Sequence, residues 1–161
     1  MNIYSTLYHS PIGNLKIQCS DIHISAILFN DEPADYKNEY HSLLQLCADQ
    51  LSEYFSGKRK VFDLPLNQSG TTFQQKVWQL LYQIPFGKII SYQQLSKQYG
   101  DVKAIRAIAS ANGKNLIPII VPCHRVIGSN QSLTGYSGGL WRKQWLLEHE
   151  AKFHSGVQQL F

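Results

Sequence analysis

Cys123 and His124 stand side by side in Pro122-Cys123-His124-Arg125-Val126, with apolar residues on both flanks. A free thiol is a weak nucleophile at neutral pH because its pKa lies near roughly 8.5. A neighbouring imidazole can take the proton, directly or through water, and leave a thiolate. Thiolate is soft and polarisable, which suits it to attack on an alkyl carbon. Adjacent residues on a strand point to opposite faces. The pair can therefore cooperate only if the chain turns at this point or a water bridges them.

The elements that must position this pair fall into two parts. Ile3–Tyr8, a strand carrying Leu15, Ile17 and Cys19 on one face, and Ser25–Phe29 predict a small antiparallel sheet, with Ser10-Pro11-Ile12-Gly13-Asn14 as a turn. Tyr40, Leu43, Leu44, Cys47, Leu51, Tyr54 and Phe55 recur at helical steps and predict a long helix stopped near Gly57. Thr71 or Thr72, with Gln74 or Gln75 three residues on, begins a helix whose stripe is Phe73, Val77, Leu80, Leu81 and Ile84. Pro85-Phe86-Gly87 ends it. Ser91-x-x-Gln94 opens a short helix, Tyr92–Tyr99, stopped at Gly100. Asp101 caps a third, running to about Asn112. Ile117–Val121 reads as a short buried strand leading into Cys123. The fold class is α+β, with a sheet-and-helix domain over 1–68 and a mainly helical domain over 69–161.

Two short helices joined by a tight glycine-containing turn have the sequence form of a helix-turn-helix. The second has Val102, Ile105, Ile108 and Ala109 on one face. Lys103, Arg106, Ala107, Ser110 and Lys114 lie on the other. Small residues allow close approach to another surface, and the cations can meet phosphates. An alanine-rich solvent face has the same pattern. The net charge of +4 suits a nucleic-acid partner without requiring one. A hydrophobic share of 43% against 16% charged residues excludes a disordered chain.

The motif around Cys123 resembles the active-site signature of the O6-alkylguanine-DNA alkyltransferases. Phe86–Leu95 looks like that family's segment leading into the helix-turn-helix, and Ala104–Ile108 its recognition helix. Gly135–Leu140 looks like its substrate loop and Trp145–Glu150 its final helix. Order and spacing agree from Phe73 to Glu150, while residues 1–68 match only in coarse layout. The resemblance implies a winged-helix-like second domain and DNA repair by direct reversal: one irreversible transfer of a methyl or alkyl group from O6 of guanine to the protein.

It implies that Cys123 accepts the alkyl group. His124 deprotonates it through a water, with Glu150 polarising the imidazole, and Tyr92 protonates the guanine N3. Ser137 is implied to donate to O6, and the carbonyls of Cys123 and Val126 to accept from the exocyclic amine. Tyr136 and Gly138 would shape the pocket. Asn115 would tie the recognition helix to the active-site segment. This chain has Leu116 where relatives commonly have proline, which would loosen that hinge. Arg106 is implied to fill the space left by a flipped nucleotide, with Ala107, Ser110, Lys103 and Lys114 along the DNA. Binding would be in the minor groove, only about 6 Å wide.

The implied partner is double-stranded DNA containing O6-alkylguanine, met by a monomer. Two other functions would use some of the same residues. A sensor of alkylated DNA needs no acceptor cysteine, and this chain has one. A cysteine hydrolase needs an oxyanion hole, which nothing in the sequence marks. Cys19 and Cys47 lie on apolar faces and read as structural. His9, Cys19, His23, His41 and Cys47 lack the spacing of a metal site, so neither metal nor cofactor is expected. His149 and His154 read as solvated, Trp78, Trp141 and Trp145 as core. No signal peptide or membrane segment of roughly 20 apolar residues is apparent, so a reducing interior, cytoplasm or else nucleus or nucleoid, is the expected setting.

Overall fold

The computed structural model describes residues 2–30, 38–128 and 135–154. The chain divides into two compact units, Met1–Ser69 and Gly70–Phe161.

In the first unit, β1 (Tyr4–Ser10), β2 (Gly13–Cys19) and β3 (Ile24–Phe29) form an antiparallel sheet in sequence order. The alternation of β2 puts Leu15, Ile17 and Cys19 on the face that is fully buried. Helix α1 (Ser42–Phe55) packs on β1 and β2 and buries Leu44, Cys47, Leu51 and Tyr54. The sequence places Tyr40 on that face, but the helix begins two residues later. The His41 imidazole accepts from Leu43 N at 3.1 Å as a cap, and Tyr40 is left exposed. Burial pushes the Cys47 thiol up to about 12, as suits an inert core residue.

The second unit holds α2 (Thr72–Tyr82), β4 (Ile90–Ser91), α3 (Tyr92–Tyr99), α4 (Ile105–Gly113), β5 (Val126–Ile127) and α5 (Leu140–His154). Both predicted capping boxes form, Thr71 with Gln74 on α2 and Ser91 with Gln94 on α3. Gly100 ends α3 at φ +104°, a left-handed conformation that a side chain would strain. Helices α3 and α4 pack on each other and on α2, where Trp78 Nε1 donates to the Ala111 carbonyl at 2.9 Å. Strands β4 and β5 pair in parallel, Ile90 with Val126 and Ser91 with Ile127. That pairing sets Tyr92, the first residue of α3, beside the end of the cysteine segment. The result is a helix-turn-helix with a minimal wing-like ribbon.

Several expectations are corrected. Residues 117–121 form turns, not a strand, and Ile119 has φ +75°. An apolar run is the same signal for a strand and for a buried turn. Here Asn115 decides, because its amide closes the loop at both ends. Val102 is exposed, since a 3-10 turn over Val102–Ala104 precedes α4 and breaks the helical register. Trp141 is exposed, in the first turn of α5, with the Arg142 guanidinium 4.6 Å from its ring. His149 is buried, its ring 4.9 Å from both Trp145 and Phe153, one helical turn either way. Among the described residues, no helix is long and apolar enough to cross a membrane.

Candidate active site

The backbone does turn at the thiol. Cys123–Arg125 form a single 3-10 turn, and Cys123, His124 and Arg125 are all buried. The turn is held from before and after. Cys123 N donates to the Val121 carbonyl at 2.8 Å, and Arg125 N to Pro122 at 3.0 Å. Asn115, just past α4, donates from Nδ2 to the Val121 carbonyl at 2.8 Å and accepts at Oδ1 from Ile117 N at 3.1 Å. Its side chain also hydrogen-bonds the Cys123 thiol.

Glu150, on α5, is the centre of the polar network. Its carboxylate accepts from His124 Nε2 at 2.7 Å. It also accepts from Arg125 Nε at 2.8 Å, Arg125 Nη2 at 2.9 Å and Gly87 N at 3.1 Å. Four donors match the capacity of one ionised carboxylate. Burial alone would raise its pKa. The imidazole and guanidinium beside it outweigh that and hold it well below the usual carboxylate range. Arg125 Nη1 also donates to the Ile84 carbonyl at 2.6 Å.

These bonds fix a tautomer. Burial pulls the His124 pKa down, only partly countered by Glu150, so the ring is neutral. An ionised carboxylate can only accept, so the imidazole proton sits on Nε2. Nδ1 is left with its lone pair and, among the described residues, no hydrogen-bond partner. Burial pushes the Cys123 thiol up, opposed by the Asn115 hydrogen bond and by the Lys143 charge. The resting sulfur is therefore a thiol.

Lys143 was not visible in the sequence as a site residue. It is fully buried on α5 and donates from Nζ to the Val126 carbonyl at 2.7 Å. Burial lowers its pKa to about 8, with the neighbouring Cys123 acting to raise it. Lys143, Leu146 and Glu150 lie at i, i+3 and i+7 on one buried helix face, and charges at that spacing were the signal to find it. Arg125 was equally missed as a partner of Glu150.

Tyr92 accepts at its hydroxyl from Asn112 Nδ2 at 3.1 Å. The hydroxyl of Tyr136 is buried, and burial together with the nearby Cys123 raises its pKa well above the usual value. Tyr136–Gly139 form a tight turn in which Gly139 N donates to the Tyr136 carbonyl at 2.8 Å. Gly139 has φ +94°, and the Gly138 carbonyl accepts from Arg142 Nη1 at 2.8 Å. Ser137 is exposed in that turn. Lys103, Arg106, Ala107, Ser110 and Lys114 are all exposed, on α4 and its flanking turns, away from the buried cluster. Among the described residues, no group of three His, Cys, Asp or Glu could hold a metal ion.

A helix-turn-helix that carries a buried thiol, an oriented neutral imidazole and a carboxylate behind it defines a class: helix-turn-helix modules built around a buried cysteine. Comparison with known proteins gives the family. Residues 72–152 match the DNA binding domain of 6-O-methylguanine DNA methyltransferase, and residues 3–68 its ribonuclease-like domain. The Bacillus subtilis constitutive methylated-DNA–protein-cysteine methyltransferase is 46% identical over 86% of this chain and 88% of its own. The Salmonella typhimurium methylated-DNA–protein-cysteine methyltransferase is 53% identical over 88% and 91%. Mycobacterium tuberculosis OGT in complex with DNA superposes with a TM-score of 0.84 at 38% identity, over 95% of this chain and 94% of that one. The chain belongs to the 6-O-methylguanine DNA methyltransferase family.

Glu150 makes the second unit acid-sensitive. A carboxyl with a depressed folded pKa contributes stability that is present above its ordinary value of 4.5 and lost as pH falls through the folded value. His124, held neutral, adds a loss that begins below its ordinary value of 6.5. Urea unfolding from about neutral pH downward is expected to show a steep decline for the native protein and a shallower one for Glu150→Gln. At neutral pH that variant is expected to be less stable by about 3 kcal/mol, because the Arg125 guanidinium stays buried beside a neutral amide. Identical acid slopes would remove Glu150 from this role.

Proposed function

We propose that this protein repairs DNA by direct reversal, moving a methyl or larger alkyl group from O6 of guanine in duplex DNA onto the sulfur of Cys123. The observation that carries the reading is the buried thiol beside a histidine whose unprotonated Nδ1 is fixed by Glu150. It is supported by membership of a family whose members are named methylated-DNA–protein-cysteine methyltransferases.

In the step, the Cys123 proton passes through a water to His124 Nδ1, and the sulfur attacks the alkyl carbon. The S–C bond forms as the C–O6 bond breaks, and its electron pair moves into the guanine ring. Tyr92 supplies a proton to N3 of the departing base. Afterwards His124 carries one proton more and Tyr92 one fewer, and exchange with solvent restores both. Ser137 donates to O6, and the Cys123 and Val126 carbonyls accept from the exocyclic amine. Tyr136 and Gly138 form the wall, and Asn115 holds the thiol segment. The thioether has no leaving group that water can displace under mild conditions, so each molecule acts once. The enzyme is a transferase without turnover and needs no cofactor.

A thiol this deeply buried cannot reach a base still stacked in the duplex. The nucleotide must be extruded, at a cost of a few kcal/mol that is least for a badly paired base. Arg106, exposed on α4, fills the gap and bonds the orphaned partner base. Lys103 and Lys114 meet phosphates, and Ala107 and Ser110 let the helix into the minor groove. One monomer suffices for this geometry. A nucleophile that must stay reduced, acting on the genome, belongs in the cytoplasm or nucleoid.

Incubation with duplex DNA labelled at the O6-methyl group is expected to transfer label to the native protein in a one-to-one ratio. Cys123→Ser is expected to bind the same DNA and take up no label. Sustained labelling of the serine variant would reject the assignment. Arg106→Ala is expected to slow repair of duplex DNA roughly a hundredfold, the value of a few kcal/mol of flipping support. It should leave reaction with free O6-alkylguanine within about twofold. Equal losses on both substrates would exclude the flipping role.

A further inference from the structure

Asn112 lies on the inner face of α4, the helix whose outer face carries Arg106 and Ser110, and its side chain is almost completely buried. Its Nδ2 donates to the Tyr92 hydroxyl at 3.1 Å and to the Cys123 carbonyl at 3.4 Å. The carbonyl can only accept, so the nitrogen end of the amide must face both groups. The other end, Oδ1, is buried and has no hydrogen-bond partner among the described residues. A leucine would fill the same space without a buried orphan acceptor. Packing alone gives no reason for an amide here.

The direction of the bond to Tyr92 supplies one. A phenol oxygen accepts through its lone pairs and donates its single proton. With an N–H pointed at that oxygen, the O–H must be directed elsewhere. The same N–H stabilises the negative charge that gathers on the oxygen as its proton leaves. We infer that Asn112 is a positioning residue that aims and acidifies the Tyr92 hydroxyl and bonds the DNA-facing helix to the backbone of the nucleophile turn. The inference rests on the reading above that Tyr92 protonates the departing guanine. Asn112 touches neither the alkyl group nor the sulfur and acts through Tyr92. The recognition helix is thereby bonded to the proton donor and to the backbone of the nucleophile. A helix seated on DNA through its outer face holds both from its inner one.

The test is a double-mutant cycle on single-turnover methyl transfer from O6-methylated duplex at saturating protein, with DNA affinity measured alongside. The four proteins are the native chain, Asn112→Leu, Tyr92→Phe and the double variant. Asn112→Leu is expected to slow transfer about tenfold, the upper value of a single neutral hydrogen bond, with affinity for DNA unchanged within about twofold. In the Tyr92→Phe background the same substitution is expected to change the rate by less than about twofold, because the group it acts through is gone. Equal slowing in both backgrounds would make Asn112 a packing residue and overturn the inference. No slowing in the native background would overturn it too. Should Tyr92→Phe alone leave the rate unchanged while Asn112→Leu slows it, the proton-donor reading fails instead. If Asn112→Leu does not fold, Asn112→Asp completes the same cycle, since it keeps the shape and removes the donated N–H.

Discussion

One ionised carboxylate, sealed from water on the last helix, sets the chemistry of the second unit. Glu150 receives four hydrogen bonds from three residues remote from it in sequence, Gly87 and the adjacent pair His124 and Arg125. A buried carboxylate is costly to hold, and a paired guanidinium with further hydrogen bonds is what makes it tolerable. The fork of Arg125 matches the carboxylate with two parallel bonds, an arrangement lysine cannot offer. The remaining acceptor capacity is then turned on His124. The ion pair is a support for the imidazole more than a source of net stability.

From that anchor the rest of the site follows outward. The carboxylate decides the tautomer, the tautomer leaves Nδ1 with a bare lone pair, and in the proposed reaction that nitrogen is the base for a thiol that burial keeps protonated at rest. The ribbon of β4 with β5 joins the start of α3 to the end of the thiol turn, so Tyr92 and Cys123 are held by neighbouring backbone. Lys143 holds the Val126 carbonyl and adds positive potential beside the Cys123 sulfur. Two kinds of control meet here: hydrogen bonds that fix direction, and buried charges that favour one ionisation state over another.

Local signals in the sequence carried their information to within a residue or two. Ser91 with Gln94, and Thr71 with Gln74, gave helix starts because a capping box is complete within four residues. Gly100 gave a stop for the same reason, and Leu15, Ile17 and Cys19 showed their shared face by simple alternation. What the sequence hid depends on partners remote along the chain. Arg125 and Lys143 look like surface charges until α5 is laid over the thiol turn. Residues 117–121 look like a strand until the Asn115 amide is seen to close them into turns. His149 looks solvated until Trp145 and Phe153 are found packed on either side of it. Cys123 and His124 were legible as a candidate thiol and base from their adjacency, but Glu150 only through the resemblance carried by the whole run from Phe73 to Glu150. Spacing alone does not bring residue 150 to residue 124.

The central claim is that Glu150 fixes His124 as a neutral ring protonated at Nε2. Nitrogen-15 NMR of the histidine side chains, with His124 assigned by comparison with His124→Gln, reads this directly at about neutral pH. The account predicts a neutral ring with its proton on the nitrogen that faces Glu150 and a bare, basic Nδ1. A proton resident on Nδ1, alone or in an imidazolium, would contradict it, because the ring could not then take one from sulfur.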